Sequence, residues 1–194
     1  MIAGLILAAG ESSRMGRDKA LLTYHGRTFL ETIVVTLRNA GVERIAVVLG
    51  HHAEEIRKAT KLEGVEVVIN PEYRRGQTSS LQAGLRALDS PDLEAVILHL
   101  VDHPAVSAAT IQELVHSFRR AHSPVVIPTH QGQRGHPVLI SRAIFDELLS
   151  LIPDEGANTV TREHRASTEF LEVDDPGILL DVDAPETYRQ LEGD

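Results

Sequence analysis

Short runs rich in Val, Ile and Leu alternate along this chain with stretches of helical period, and that alternation limits the fold more than any other feature. Candidate strands lie near 2–8, 44–49, 65–69, 94–100, 124–128, 136–141, 168–173 and 178–182. Amphipathic helices are expected between most of them, at 29–39, 53–59, 80–88 and 110–121. Near-continuous apolar strands such as 95–100 require a sheet covered on both faces, and with the alternation this predicts a three-layer α/β/α domain with a mostly parallel sheet. Gly41 stands where a helix ending near Asn39 should stop, and Ser107 is placed to cap the next helix. At 194 residues, without repeats or a linker, the whole chain reads as one domain, whose second half has shorter elements and an excursion from the main sheet around 129–136.

Composition excludes several chemistries. With no cysteine, disulfides, thiolate metal sites and cysteine nucleophiles are ruled out. Asp and Glu outnumber Lys and Arg 28 to 19, and the formal net charge of −9 opposes general attraction to nucleic acid or an anionic membrane. No apolar run approaches the roughly 20 residues that span a bilayer, and no basic region precedes the first apolar run, so a cytoplasmic protein without signal peptide or anchor is expected.

The segment LAAGESSRMGRDK, 7–19, runs off the first strand into small residues, two glycines and three basic side chains. Leu7, Ala8, Ala9 and Gly10 bring the backbone close to a ligand, and successive amides in such a turn form an anion-binding concavity. Arg14 offers a bidentate grip on phosphate, and Lys19 a compact charge that follows the leaving group. A solvated surface loop would carry similar residues, but its place after the first strand of an α/β sheet favours a ligand site. It is neither a Walker A loop, since five residues separate Gly10 from Gly16 and Ala20 follows Lys19, nor a dinucleotide G-x-G-x-x-G fingerprint.

Two acidic positions fall on the same expected sheet edge. Asp102 follows the strand at 95–100, and Asp183 follows the expected strand at 178–182 with Asp181 two residues earlier on the same side. One or two such carboxylates suffice for Mg2+ that is also held by phosphate oxygens. Asp183 ahead of Ala184 and Pro185 equally fits a helix N-cap. The ten histidines show no zinc spacing, and most read as surface or loop residues. His136, between Gly135 and Pro137, is the one candidate acceptor contact. Arg74 and Arg75 read as either a solvated turn or added positive charge.

The first motif, followed in order by NPEYRRGQTSSLQAGL from Asn70, VDHP from Val101, GHPVLI from Gly135 and GILLDVDAPETY from Gly177, resembles the MobA-like nucleotidyltransferases, and specifically their molybdenum cofactor cytidylyltransferase branch. The resemblance covers nearly the whole chain. It implies a Rossmann-like nucleotidyltransferase domain that transfers CMP from CTP to a molybdopterin-type cofactor. It also implies a triphosphate held by Ala8, Ala9, Gly10, Arg14 and Lys19, with Gln77, Ser79 and Ser80 beside the nucleobase and ribose, and Asp102 on Mg2+. Ala-Ala-Gly in the first motif tilts the triphosphate toward CTP. Val101 and His103 depart from the Gly and Gln that usually flank the metal aspartate, which bears on the acceptor. Rival readings are transfer to another phosphorylated acceptor such as a sugar phosphate, nucleotide binding without turnover, and a dinucleotide-dependent oxidoreductase.

Overall fold

A computed structural model describes residues 1–12, 15–152 and 155–193. Its strands are β1 (Ile2–Ala8), β2 (Thr23–Tyr24), β3 (Arg27–Thr28), β4 (Ile45–Leu49), β5 (Glu66–Ile69), β6 (Ala95–Leu100), β7 (Val125–His130), β8 (Gln133–Arg134), β9 (Val138–Ser141) and β10 (Glu169–Glu172). The helices are α1 (Phe29–Asn39), α2 (Ala53–Ala59), α3 (Gln77–Leu88), α4 (Ala108–Ala121), α5 (Phe145–Ser150), α6 (Asn158–Glu163) and α7 (Pro185–Gly193).

One twisted sheet runs in the order β10-β7-β9-β6-β1-β4-β5, with β8 paired to β7, while β2 and β3 form a separate small ladder. Strands β6, β1, β4 and β5 are mutually parallel, and β10 is parallel to β7. In this sheet β9, between β6 and β7, and the short β8 run antiparallel to their neighbours. Two apolar clusters, one on each face of the sheet, complete the three layers. In β1 every residue is buried, which is why its sequence runs apolar without alternation.

Local chemistry sets the helix ends. Thr28 accepts from the Glu31 amide while Glu31 reaches back to the Thr28 amide, closing a capping box at the start of α1. Gly41, at φ 86°, takes the left-handed conformation just past its end. Ser107 caps α4 through the Thr110 amide, and α3 begins three residues ahead of its expected start.

The expected strand at 178–182 does not form. Asp175 accepts from the Gly177 amide and Pro176 supplies a helical φ, so Pro176–Leu179 winds into a 3-10 turn despite its β-branched, apolar composition. The strap that follows is pinned by single bonds, with the Val182 amide donating to the Asp102 carbonyl at 2.9 Å and the His136 amide to the Ile178 carbonyl at 3.0 Å. Asp175 also receives the Ser107 amide and the Thr110 hydroxyl, tying the strap to the start of α4. Gly135 is required here, because a Cβ on it would stand 2.4 Å from the Ile178 carbonyl oxygen.

Candidate active site

Four parallel strands deliver their following loops to one edge of the sheet. The loop after β1 brings Ala9, Gly10 and Ser12; the loop after β4 brings Gly50; the turn after β5 brings Tyr73, Gly76 and Gln77; and the loop after β6 brings Asp102. Because β9 runs against β6 with Val138 opposite Leu98, the residues just before β9 reach the same edge. This places His136 beside the loop that carries His103, with ring centroids 5.1 Å apart.

A cavity of about 330 Å³ opens there, lined by Leu7, Ala8, Ala9, Gly10, Ser12, Asp18, Lys19, Ala20, Ile56, Tyr73, Gly76, Gln77, Ser80, Leu100, Val101, Asp102 and Asp183. The nucleotide-type residues Leu7, Ala8, Ala9, Gly10, Lys19, Gln77 and Ser80 thus share one wall system with both metal-type carboxylates. Arg14 lies outside the described residues. Ser79 does not line the cavity; its hydroxyl bonds the Glu72 and Gly76 carbonyls of the preceding turn. Asn70, buried, donates to both the Ser79 and Ser80 hydroxyls and so fixes the first turn of α3. His136 is packed against His103 rather than lining the cavity. Glycine at position 50 lets the backbone close in, since a Cβ there would lie 2.6 Å from Tyr73 and 2.9 Å from the Ala9 carbonyl oxygen.

Lys19 joins the two halves of the site. Its ammonium donates to Asp102 Oδ2 at 3.0 Å and to Asp183 Oδ1, across 83 and 164 positions of sequence. Burial opposes its charge, but the bond to Asp183 and the nearby Asp102 outweigh burial and raise its pKa above the ordinary lysine value. The helix α7 begins at Pro185, and Asp183, two residues ahead of it, pairs with Lys19. Asp181 is pushed up from the ordinary carboxylate range by partial burial and by the like charges of Asp102 and Asp183.

Three histidines lie behind the Asp102 loop, His99 and His103 buried and His136 half-buried. Burial pushes His99 down to about 3, and burial with the His103 ring pushes His136 down to about 4. His103 is lowered by burial as well, so all three are neutral at pH 7. Asp102 Oδ1 and the Nδ1 atoms of His103 and His136 are buried with no hydrogen-bond partner among the described residues.

The sequence reading did not single out Tyr73, Asp18 or Asn70. Tyr73 lines the cavity from the turn after β5, and Asp18 Oδ2 accepts from His52 Nδ1 at 3.0 Å. Position after strands of the parallel sheet was a signal for Asn70 and Tyr73; none existed for the Asp18 contact, which bridges two loops.

Residues 4–168 match the MobA-like NTP transferase domain. The chain is 31% identical, over 98% of its own length and 96% of the relative's, to nicotine blue oxidoreductase of Paenarthrobacter nicotinovorans. It is 27% identical, over 95% and 92%, to the molybdenum cofactor cytidylyltransferase of Escherichia coli strain K12. Among solved structures, Rv0371c of Mycobacterium tuberculosis H37Rv superposes with a TM-score of 0.89 at 33% identity, covering 100% of this chain and 97% of that one. The same mycobacterial protein has been solved in complex with manganese, where it gives a TM-score of 0.83 at 31% identity over 100% and 98% of the two chains.

Proposed function

Because the chain belongs to the MobA-like NTP transferase family, we propose that this nucleotidyltransferase moves CMP from CTP onto a molybdopterin-type molybdenum cofactor, with release of pyrophosphate. One observation carries the reading: Lys19 pairs with Asp102 and Asp183 in the cavity that Ala8, Ala9 and Gly10 also line, so phosphate-type and metal-type groups meet there. The full-length similarity to the cytidylyltransferase of Escherichia coli supports the choice of donor and acceptor, as does Ala9 in the first motif. Neither nucleic acid nor a membrane enters the reading, in keeping with the net charge of −9.

In this reaction a phosphate oxygen of the acceptor attacks the α-phosphorus of CTP, and the bond to the β-phosphate oxygen breaks in line. An acceptor phosphate is already ionised near neutral pH, so no general base is required. The backbone at Ala8, Ala9 and Gly10 cradles the triphosphate, Arg14 and Lys19 neutralise its charge, and Gln77, Ser79 and Ser80 lie toward the nucleoside. Ser80 approaches directly from the cavity wall, whereas Ser79 acts by holding the turn before α3. Lys19 is held before substrate arrives, so little reorganisation accompanies the charge that develops on pyrophosphate. On this reading His136, whose ring packs against His103, serves the acceptor side.

The site fits a divalent ion. Asp102 and Asp183 both line the cavity, and their carboxylates are hard oxygen ligands of the kind Mg2+ takes one or two of. Asp102 and Asp183 would hold the ion, and when bound it supplies charge neutralisation on phosphate oxygens.

A second reading rests on the 31% identity to nicotine blue oxidoreductase, and gives a dinucleotide-dependent oxidoreductase in the same cavity. The two separate in one set of assays. Purified protein with Mg2+, each of the four nucleoside triphosphates in turn and molybdenum cofactor is expected to release pyrophosphate with CTP, and Asp102→Ala to abolish it. Silence with every triphosphate and every phosphorylated acceptor, together with saturable NADH binding, would replace the transferase reading by the redox one.

A further inference from the structure

Asp102 offers its two oxygens to different surroundings. Oδ2 accepts from Lys19 at 3.0 Å, and the same ammonium reaches Asp183, so this side is already neutralised. Oδ1 is buried and accepts no hydrogen bond among the described residues. His103 Nε2 stands 3.9 Å from it, too far for a hydrogen bond, and the Asp181 carboxylate completes a set of three donor atoms that all lie within 4.8 Å of one another.

An acidic cluster alone is no site, but the imidazole distinguishes this one. The His103 side chain is only 8% exposed, its Nδ1 has no partner among the described residues, its Nε2 stands 3.9 Å from Asp102 Oδ1, and a ligand atom of its ring lies within 4.8 Å of one from each carboxylate. Burying a carboxylate oxygen without a donor is unfavourable, and the Lys19 ammonium is committed to the other oxygen. The separation suits a shared cation: two donors each about 2.1 Å from an octahedral ion lie roughly 3 Å apart when adjacent and about 4.2 Å apart when opposite. The 3.9 Å found here falls between those limits.

We propose that Asp102 Oδ1, Asp181 and His103 Nε2 form a second divalent-cation position, back to back with the Asp102–Asp183 side and selective for ions that accept nitrogen. It rests on the reading of Asp102 as a metal carboxylate, and goes beyond it in placing a nitrogen ligand and a separate ion. A carboxylate shared between two ions holds them about 3.5–4 Å apart, which the two oxygens of Asp102 permit. An imidazole donor favours Mn2+, Co2+ and Zn2+ over Mg2+, whose preference is for oxygen. The position departs from an all-oxygen site because His103 follows Asp102 directly and is folded inward beneath it.

The test uses Mn2+ added to the full chain after removal of metal and without nucleotide, followed by electron spin resonance with detection of nitrogen coupling. Bound Mn2+ is expected to show the coupling of a directly ligated imidazole and to resist displacement by equal Mg2+ while yielding to Zn2+. His103→Gln is expected to lose the nitrogen coupling and to weaken Mn2+ binding about tenfold, with its melting temperature recorded alongside. Asp181→Asn, at an exposed position, is expected to weaken Mn2+ similarly while keeping the coupling, and serves if the first variant does not fold. Mn2+ bound without nitrogen coupling, or affinity unchanged in Asp181→Asn, would overturn the site. Absent Mn2+ binding alongside normal pyrophosphate release in Mg2+ would overturn it too, and leave the transferase reading standing. Nitrogen-coupled Mn2+ in a protein that releases no pyrophosphate supports the site and counts against that reading alone.

Discussion

Replacing Lys19 by Met keeps the buried stem and removes only the charge, which separates two consequences of the same ammonium. Lys19, Asp102 and Asp183 have side-chain exposures of 12%, 21% and 32%, so their pairing is neither fully buried nor free in solvent. Breaking a buried pair costs about 3–5 kcal/mol and an exposed one about 0–1, which puts this intermediate case near 2 kcal/mol. For 194 residues, an unfolding entropy of roughly 2.1 cal/mol/K per residue converts that loss to a fall of about 5 °C in melting temperature. Turnover should fall further, because removing one donor aimed at developing charge costs about 10²–10³ in rate. Scanning calorimetry reads the first effect and pyrophosphate release the second. The carboxylates left facing each other should also make added Mg2+ raise the melting temperature more in the variant than in the parent. A Lys19→Met protein that melts with the parent and turns over within a few-fold of it would refute the assignment of this ammonium as the joint of the site.

Acid stability should follow the buried histidines. His99 stays neutral in the native protein, held down to about 3 by burial, whereas the unfolded chain takes up that proton below its ordinary 6.5. Stability is therefore unaffected above about pH 6.5 and declines as pH falls toward 3, by about 2 kcal/mol at pH 5 for this group, with His136 acting in the same direction. Urea unfolding at pH 7.5 and pH 5 should show this loss, and His99→Asn should reduce it; an unchanged pH dependence in that variant would remove His99 as a cause. Asp175→Ala should strip acceptors from the Ser107 and Gly177 amides and the Thr110 hydroxyl at once, costing about 3 kcal/mol and roughly 6–12 °C in melting temperature, and a change under 2 °C would mean that the strap does not depend on it.

Much of the layer architecture could be read from periodicity. The helices at 29–39 and 53–59 coincide with the expected spans, because their apolar stripes, the capping box at Thr28 and the stop at Gly41 all act within a few residues. The strap at 178–182 resisted that method: Ile178, Leu179, Leu180 and Val182 are strand-forming residues, but Asp175 and Pro176 start a 3-10 turn, and Gly135 leaves room for it to cross. The antiparallel direction of β9 was likewise not written in its own apolar run, since parallel and antiparallel strands buried on both faces carry the same composition.

Sequence alone determined the alternating elements, the aliphatic core, the absence of cysteine chemistry and the small, basic character of loop 7–19, because each is a property of neighbouring residues or of composition. Tertiary structure decided which charges meet. Lys19 finds Asp102 and Asp183 only because β1 and β6 are parallel neighbours and the strap after Asp175 returns over the same edge. It also turned His103 inward, against His136 and beneath Asp102, where burial holds the ring neutral and Asp102 Oδ1 has no donor among the described residues. Electrostatic partnership and desolvation depend on distance in space, and no local pattern in the chain encodes a contact 83 or 164 residues away.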